Sequence, residues 1–412
     1  MTSPSFVLKN CRVFDGTTDH LRDGLEVLVE GKHIKEVSEK PLRAGVATVI
    51  DLGGRTLMPG LIDAHFHAYA TALDLGKACA VPPSLHALEA RALLEQSLVR
   101  GFTTVRDAAG ADVGLALATE RGLIRGPRIF YSGRALTQTG GHGDMRGPTH
   151  FEACSCAQVA NTMGCVVDGV DEVRKAAREE LRKGAHQIKI FVSGGISSPS
   201  DPIWMRQFTD EEIRAAVDEA ASRRSYVLAH AYTAESIVRA VRCGVRSIEH
   251  GNLIDRAAAE VVRDHNAFVV PTLVTYEANH RFGAEAGAPA FMLEKLDEVR
   301  LAGLDALALL VEVGVKIGFG TDLLGALHRY QSDEFTIRAR VQKPIDILRS
   351  ATSINAALVQ RPNELGTVRA GALADLIAVD GDPLTDIAVL TGQGERIPLV
   401  MKAGEIMKRV AL

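Results

Sequence analysis

Apolar and polar residues alternate over 6–14 and again over 25–30, and a third apolar run at 46–52 leads into Gly53-Gly54. Alternation with period two predicts short strands, and Asp15-Gly16 and Gly31-Lys32 supply the turns between them. A further strand is predicted over 56–63, which carries Pro59-Gly60 and delivers the chain into Ala64-His65-Phe66-His67.

From there the pattern becomes strand, loop and helix in repetition. Helical periods are predicted at 85–100, 113–121, 171–183, 210–222, 234–243, 257–264, 290–313 (one helix or two), 344–351 and 353–359. Gly101, Gly184, Gly244 and Gly314 follow four of these as stops, and Thr209 with Glu212 forms a candidate capping box. Short apolar strands lie between them and end near residues 67, 107, 133, 192, 230, 250, 271 and 321. Eight strand–helix units over 60–362 are what a (β/α)8 TIM-type barrel demands; an open doubly wound sheet would not require eight. Residues 363–412 return to β texture at 366–368, 374–379, 399–402 and 405–409. The predicted architecture is α/β: a barrel over 60–362 and a small β-sandwich-like domain built from both termini, 1–59 and 363–412.

Composition adds exclusions. The 412 residues carry 47 Lys and Arg against 51 Asp and Glu, a net charge of −4, with no long basic run. No nucleic-acid partner is therefore expected. The start of the chain has no basic segment followed by an apolar run, and no apolar stretch is long enough to span a bilayer, so no membrane partner is expected and the cytoplasm is the default location. Cys11, Cys79, Cys154, Cys156, Cys165 and Cys243 are too sparse for a disulfide framework. Cys154-Ser155-Cys156 lacks the two-residue gap of a zinc knuckle and reads as plain thiols.

The candidate chemistry sits at predicted strand ends. His65 and His67, two apart, share one face of a strand and can grip one cation. Lys189, His230, His250 and Asp322 lie in or at the end of other strands, where a barrel gathers its functional groups. Lys189 falls in a strand expected to be buried on both faces; its amine is then paired, neutral, or converted by carbon dioxide to a carbamate that bridges two cations. The small residues before Asp322 let the backbone approach the site closely. Ser193-Gly194-Gly195 lacks the Lys-Ser/Thr of a phosphate loop, and no Gly-x-Ser-x-Gly elbow supports a serine nucleophile.

With these residues in view, the chain resembles the amidohydrolase superfamily. The resemblance rests on Pro59-Gly60-Leu61-Ile62-Asp63-Ala64-His65-Phe66-His67, Lys189, His230, His250, Asp322 and the tail Gly371-Ala372-Leu373-Ala374-Asp375-Leu376. Within it the chain is similar to the prolidase-like metal-dependent carboxypeptidases (Xaa-Pro and Xaa-amino-acid dipeptidases), a group related to imidazolonepropionase. The resemblance implies two divalent metal ions, zinc as the usual occupant, and a binuclear metal-dependent hydrolase. His65, His67 and Asp322 would hold the more buried ion, His230 and His250 the other. Carbamylated Lys189 and a hydroxide would bridge them.

A linear amide in a carboxylate-bearing substrate, a dipeptide or an N-acyl amino acid, is the implied target. Asp322 would carry the proton from the nucleophile to the leaving nitrogen, and Tyr232 would donate to the developing oxyanion. His142, in Thr139-Gly140-Gly141-His142-Gly143-Asp144, would contact the substrate carboxylate, with Arg106 and Arg206 as further anion contacts. The alternatives are a ring-opening hydrolase of a cyclic amide such as an imidazolone, a lactonase or phosphotriesterase, and a silent scaffold. Lys189 argues against one-metal deaminases, and the complete ligand set argues against a scaffold. The polar loop 133–165, with Thr137, Gln138, Asp144, Arg146 and His150 besides His142, reads as a polar substrate pocket. The resemblance favours a homo-oligomer without fixing the number.

Overall fold

Ser5–Val13 and Arg22–Glu30 bury every second residue over part of their length and pair antiparallel, forming the middle of an eight-stranded sheet. The computed structural model describes residues 5–43, 45–146 and 163–410; His150, Cys154 and Cys156 lie outside them. Across the sheet the strands run Glu405–Arg409, Leu399–Lys402, Leu376–Val379, Thr56–Pro59, Ser5–Val13, Arg22–Glu30 and His33–Ser38, with Thr48–Asp51 also paired to Ser5–Val13. Both ends of the chain thus build one sheet, whose buried side packs Leu8, Val27, Ile50, Leu57, Leu376 and Met401 together. His33–Ser38 was not anticipated from the sequence because only Ile34 along it is buried, so it lacks the alternation that marks a strand.

The strand expected over 56–63 is two strands. Thr56–Pro59 pairs antiparallel with Leu376–Val379, whereas Leu61–Phe66 runs parallel to Phe102–Asp107 in another sheet. Gly60 is the junction: its N–H donates to the Asp375 carbonyl at 2.8 Å, and a Cβ there would overlap the Thr103 side chain.

The middle of the chain forms two parallel sheets. One contains Leu61–Phe66, Phe102–Asp107 and Arg128–Tyr131. The other runs Gly164–Val166, Ala135–Thr137, Ile188–Phe191, Val227–Thr233, Ser247–Leu253, Phe268–Val270 and Lys316–Ile317. Backbone bonds join the sheets at both sides. His186 N donates to Tyr131 O at 2.9 Å on one side; Ala64 N to Phe319 O at 2.8 Å and Asp322 N to His65 O at 2.8 Å on the other. Strands such as Phe102–Asp107 and Ser247–Leu253 are buried almost throughout, as parallel strands covered on both faces must be. Helices connect them. Asp210–Ser222 opens on the complete Thr209/Glu212 capping box, and 290–313 divides into Ala290–Arg300 and Gly303–Val313. Other features were not anticipated, among them the helices Leu75–Cys79, Leu273–Phe282 and Asp333–Arg338, and the short strands Ala135–Thr137 and Gly164–Val166 in and at the end of what reads as the loop 133–165. Among the described residues, no helix is long and apolar enough to cross a membrane.

Candidate metal centre

The strands just described end around a cavity of about 1130 Å³ whose wall includes His65, His67, Lys189, His230, His250 and Asp322. Leu61–Phe66 supplies the first two, Ile188–Phe191 the lysine, Val227–Thr233 and Ser247–Leu253 the other two histidines. Asp322 follows Lys316–Ile317 and is tied to the first strand through its backbone bond to His65 O. Asp322 Oδ1 stands 3.0 Å from His67 Nε2 and 3.4 Å from His65 Nε2. Potential ligand atoms of His65, His250 and Asp322 lie within 4.8 Å of one another. Gly320 makes this approach possible, because a Cβ there would come within 2.7 Å of His65 Cβ.

Each imidazole is held by one nitrogen, which leaves the other for a ligand. His65 Nδ1 is 2.7 Å from Glu249 Oε2, His67 Nδ1 is 3.0 Å from Ala109 O, and His250 Nδ1 is 2.8 Å from Thr272 Oγ1. His230 is held the other way round, by Nε2 at 3.0 Å from Gly194 O, so Nδ1 is its remaining donor. Outer partners of this kind fix the tautomer and the ring plane. Burial also pushes His65, His230 and His250 well below the usual histidine range, keeping them neutral with a lone pair available. Burial opposes protonation of His67 too, but the Asp322 carboxylate outweighs it and raises His67. Burial lowers the Lys189 ammonium to about 8, toward the neutral amine. Mixed imidazole and oxygen donors around one cavity fit a divalent cation.

Beyond the ligands, Asp63 stitches two of the strands together. Its Oδ1 accepts from His65 N at 3.0 Å and Thr321 N at 3.2 Å, and its Oδ2 from Thr321 Oγ1 at 2.6 Å and Gln331 Nε2 at 2.8 Å.

His142 and Tyr232 also line the cavity. The His142 ring stacks on His230 with centroids 4.4 Å apart, and its Nδ1 lies 2.6 Å from Ser198 Oγ and 3.2 Å from Asp201 Oδ2, leaving Nε2 without a hydrogen-bond partner among the described residues. Lys295 braces the loop that carries those partners, donating to the carbonyls of Gly195, Ser198 and Asp201 at 3.1, 2.9 and 2.6 Å. The Tyr232 ring lies 4.7 Å from that of His230.

The two arginines stand elsewhere. Arg106 is fully buried, with Nη2 2.8 Å from both oxygens of Glu249 and Nε donating to Ala64 O at 2.5 Å. A guanidinium so enclosed contacts no substrate; it holds the carboxylate that holds His65. Arg206 is largely exposed and faces Asp210 and Glu235 at 3.6 and 3.9 Å, away from the cavity wall. Sequence reasoning missed Glu249, Thr272 and the Gly194 and Ala109 carbonyls. Of these, only Glu249, a carboxylate inside an apolar strand beside His250, left a readable sign.

Residues 56–407 match the family model described as Amidohydrolase family. The chain belongs to the amidohydrolase family. Among curated proteins it is similar to ochratoxinase of Aspergillus niger, 33% identical over 367 residues that cover 85% of this chain and 75% of the relative. Among solved structures of this group it is similar to a prolidase complexed with N-methylphosphonate-L-proline, with 48% identity, a TM-score of 0.97, and 98% and 100% of the two chains covered. A Xaa-Pro dipeptidase with bound methionine in its active site aligns with 30% identity and a TM-score of 0.86, over 98% of this chain and 99% of its own. Prolidase-like amidohydrolases are thus its structural neighbours, as its motifs led us to expect.

Proposed function

We propose that this amidohydrolase cleaves a linear amide whose nitrogen belongs to an amino acid with a free carboxylate, as in a dipeptide or an N-acyl amino acid. The observation that carries the reading is a six-residue donor set around one cavity, in a chain 48% identical to a prolidase complexed with a phosphonate derivative of proline. The fold is read as a closed (β/α)8 barrel over 60–362, beside a small β domain from 1–59 and 363–412. The backbone bonds joining the two parallel sheets at both sides support closure.

His65, His67 and Asp322 would hold one divalent ion, His230 and His250 a second, and Lys189 as a carbamate would bridge them; zinc suits these donors. Carbamate formation needs a neutral amine, which burial of Lys189 favours. When bound, such ions activate a water at neutral pH and polarise the scissile carbonyl. The protein's groups do the rest. Tyr232 Oη donates to the carbonyl oxygen as negative charge develops on it. An Asp322 oxygen takes the proton of the attacking water and returns it to the leaving nitrogen, since an amide anion leaves poorly. His142 Nε2, backed by Asp201, meets the substrate carboxylate.

The test is a panel of dipeptides, N-acyl amino acids, hydantoins, imidazolones and lactones, offered to zinc-loaded protein prepared with bicarbonate. Linear amides with a free carboxylate should be cleaved fastest. Turnover confined to cyclic substrates would overturn the reading.

A further inference from the structure

Between Ile196 and Ile203, both buried, the chain reads Ser197-Ser198-Pro199-Ser200-Asp201-Pro202. Such a stretch has no apolar side chain to anchor it, so polar bonds must hold it in place. Its placement matters because it is the seat of the His142 ring. Ser198 Oγ and Asp201 Oδ2 meet the ring at Nδ1, 2.6 and 3.2 Å away. A Cβ on Gly195 would overlap the ring, so the backbone there lies directly against it. Asp201 Oδ2 also accepts from Gly195 N at 2.9 Å and from Gln207 Nε2 at 3.2 Å, and Gln207 Oε1 accepts from His142 N at 3.0 Å. Ser198, Asp201 and Gln207 are fully buried.

A residue from another part of the chain closes this seat. In the helix Ala290–Arg300, Met292, Leu296 and Val299 form the buried stripe. Lys295 lies on the same side, next to Leu296 and three residues after Met292, while Glu294, Asp297 and Glu298 are exposed. An ammonium has three hydrogens to give. Those of Lys295 go to the carbonyls of Gly195, Ser198 and Asp201, and Nζ stands 3.9 Å from Asp201 Oδ1. Confining so long a side chain costs conformational entropy, which three charge-assisted bonds offset. Lys295 itself does not line the cavity. Its whole donor capacity serves the segment that holds His142.

We propose that Lys295 is a positioning residue for substrate selection: by fixing residues 195–201 it holds the His142 ring where Nε2 meets the substrate carboxylate. Preference for a free carboxylate is then set from a helix outside the cavity. This rests on the amide-hydrolase reading, in which His142 meets that carboxylate. The carboxylate is gripped alike before and during bond cleavage, so loosening the seat weakens binding rather than the chemical step.

The experiment uses zinc-loaded protein at matched metal content. Its two substrates are the free-carboxylate compound of the panel that the wild type cleaves fastest and the same compound capped as its carboxamide. Lys295→Met keeps a long side chain and removes all three donors. It should raise KM about tenfold for the free carboxylate, the lower end of what a hydrogen bond to a charged group is worth, with kcat little changed and the capped compound spared. In a His142→Ala background it should have no further effect, because the ring it positions is gone. Wild-type KM in Lys295→Met, equal losses on both compounds, or a loss of the same size without His142 would each overturn the proposal. Should Lys295→Met fail to fold, Lys295→Gln, which keeps two donors on a shorter arm, is judged by the same comparison. A wild type indifferent to capping sinks the carboxylate reading, and this proposal with it, before any variant is made.

Discussion

Replacing Glu249 by glutamine keeps the volume and removes one charge from a fully buried site. In the native chain its carboxylate accepts from His65 Nδ1 at 2.7 Å, from Arg106 Nη2 at 2.8 Å to each oxygen, and from Ser247 Oγ at 2.6 Å. Both ion-pair partners have 0% side-chain exposure. Glu249→Gln leaves the Arg106 charge buried without a counter-charge, which costs about 3–5 kcal/mol of stability. His65 also loses a charged acceptor, and metal affinity should fall by roughly 10–100-fold. Adding Arg106→Met removes the stranded charge, so the double variant should recover most of the stability, while the weakened hold on His65 keeps metal affinity low. Denaturation must be followed on chelated protein, because bound metal would stabilise each variant by a different amount. Affinity is read separately by competition with a chromogenic chelator. A Glu249→Gln protein with the wild-type denaturation midpoint would refute the buried-pair argument. Recovery of metal affinity in the double variant would refute the claim that Glu249 orients His65.

Lys189→Ala should lose most of its bound metal and roughly 100-fold or more in turnover, the upper end of what losing a metal-orienting group costs; full metal content at near-normal rates would rule out a bridging role. A Cβ on Gly195 would overlap the His142 ring, so Gly195→Ala should displace that ring and raise KM by about tenfold for substrates with a free carboxylate while sparing carboxamide-capped ones. Equal losses on both substrate types would break the link to the carboxylate. Far from the site, burial lowers Lys402 to about 8 in the folded protein against 10.5 when free, with Nζ donating to Gly126 O at 2.6 Å. Below pH 8 both folded and unfolded chains hold that proton. Between about 8 and 10.5 the unfolded chain holds more of it, so this lysine makes stability rise with pH. Lys402→Met should flatten that rise in a comparison of denaturation midpoints; an unchanged slope would show that the lysine does not cause it.

The strand–helix repetition and the positions of the six donor residues could be read from the sequence, because fully buried parallel strands and the glycines after helices leave plain marks. The splitting of 56–63 could not, since its apolar run continues through Gly60 and only the partners differ on either side. Helix Leu273–Phe282 was hidden for a related reason: Thr275 and Asn279 are as buried as Val274 and Ala278, so no apolar stripe stands out. The role of Arg106 was misjudged because a sequence reveals a charge in a strand but not its partner. Glu249 lies 143 positions away from it along the chain. Thr272 resembles any threonine at the head of a helix until its hydroxyl is seen to face the other way.

The pairing of Thr56–Pro59 with Leu376–Val379 has a consequence for how the protein is made. The segment bearing His65 and His67 is synthesised long before Leu376–Val379, the strand that anchors its base. At about 5–20 residues per second, the interval is on the order of tens of seconds. A nascent chain therefore cannot complete its reactive mouth piecemeal. The base under the two histidines is therefore fixed only once Leu376–Val379 has followed them out, which couples the ordering of that mouth to a distant part of the chain.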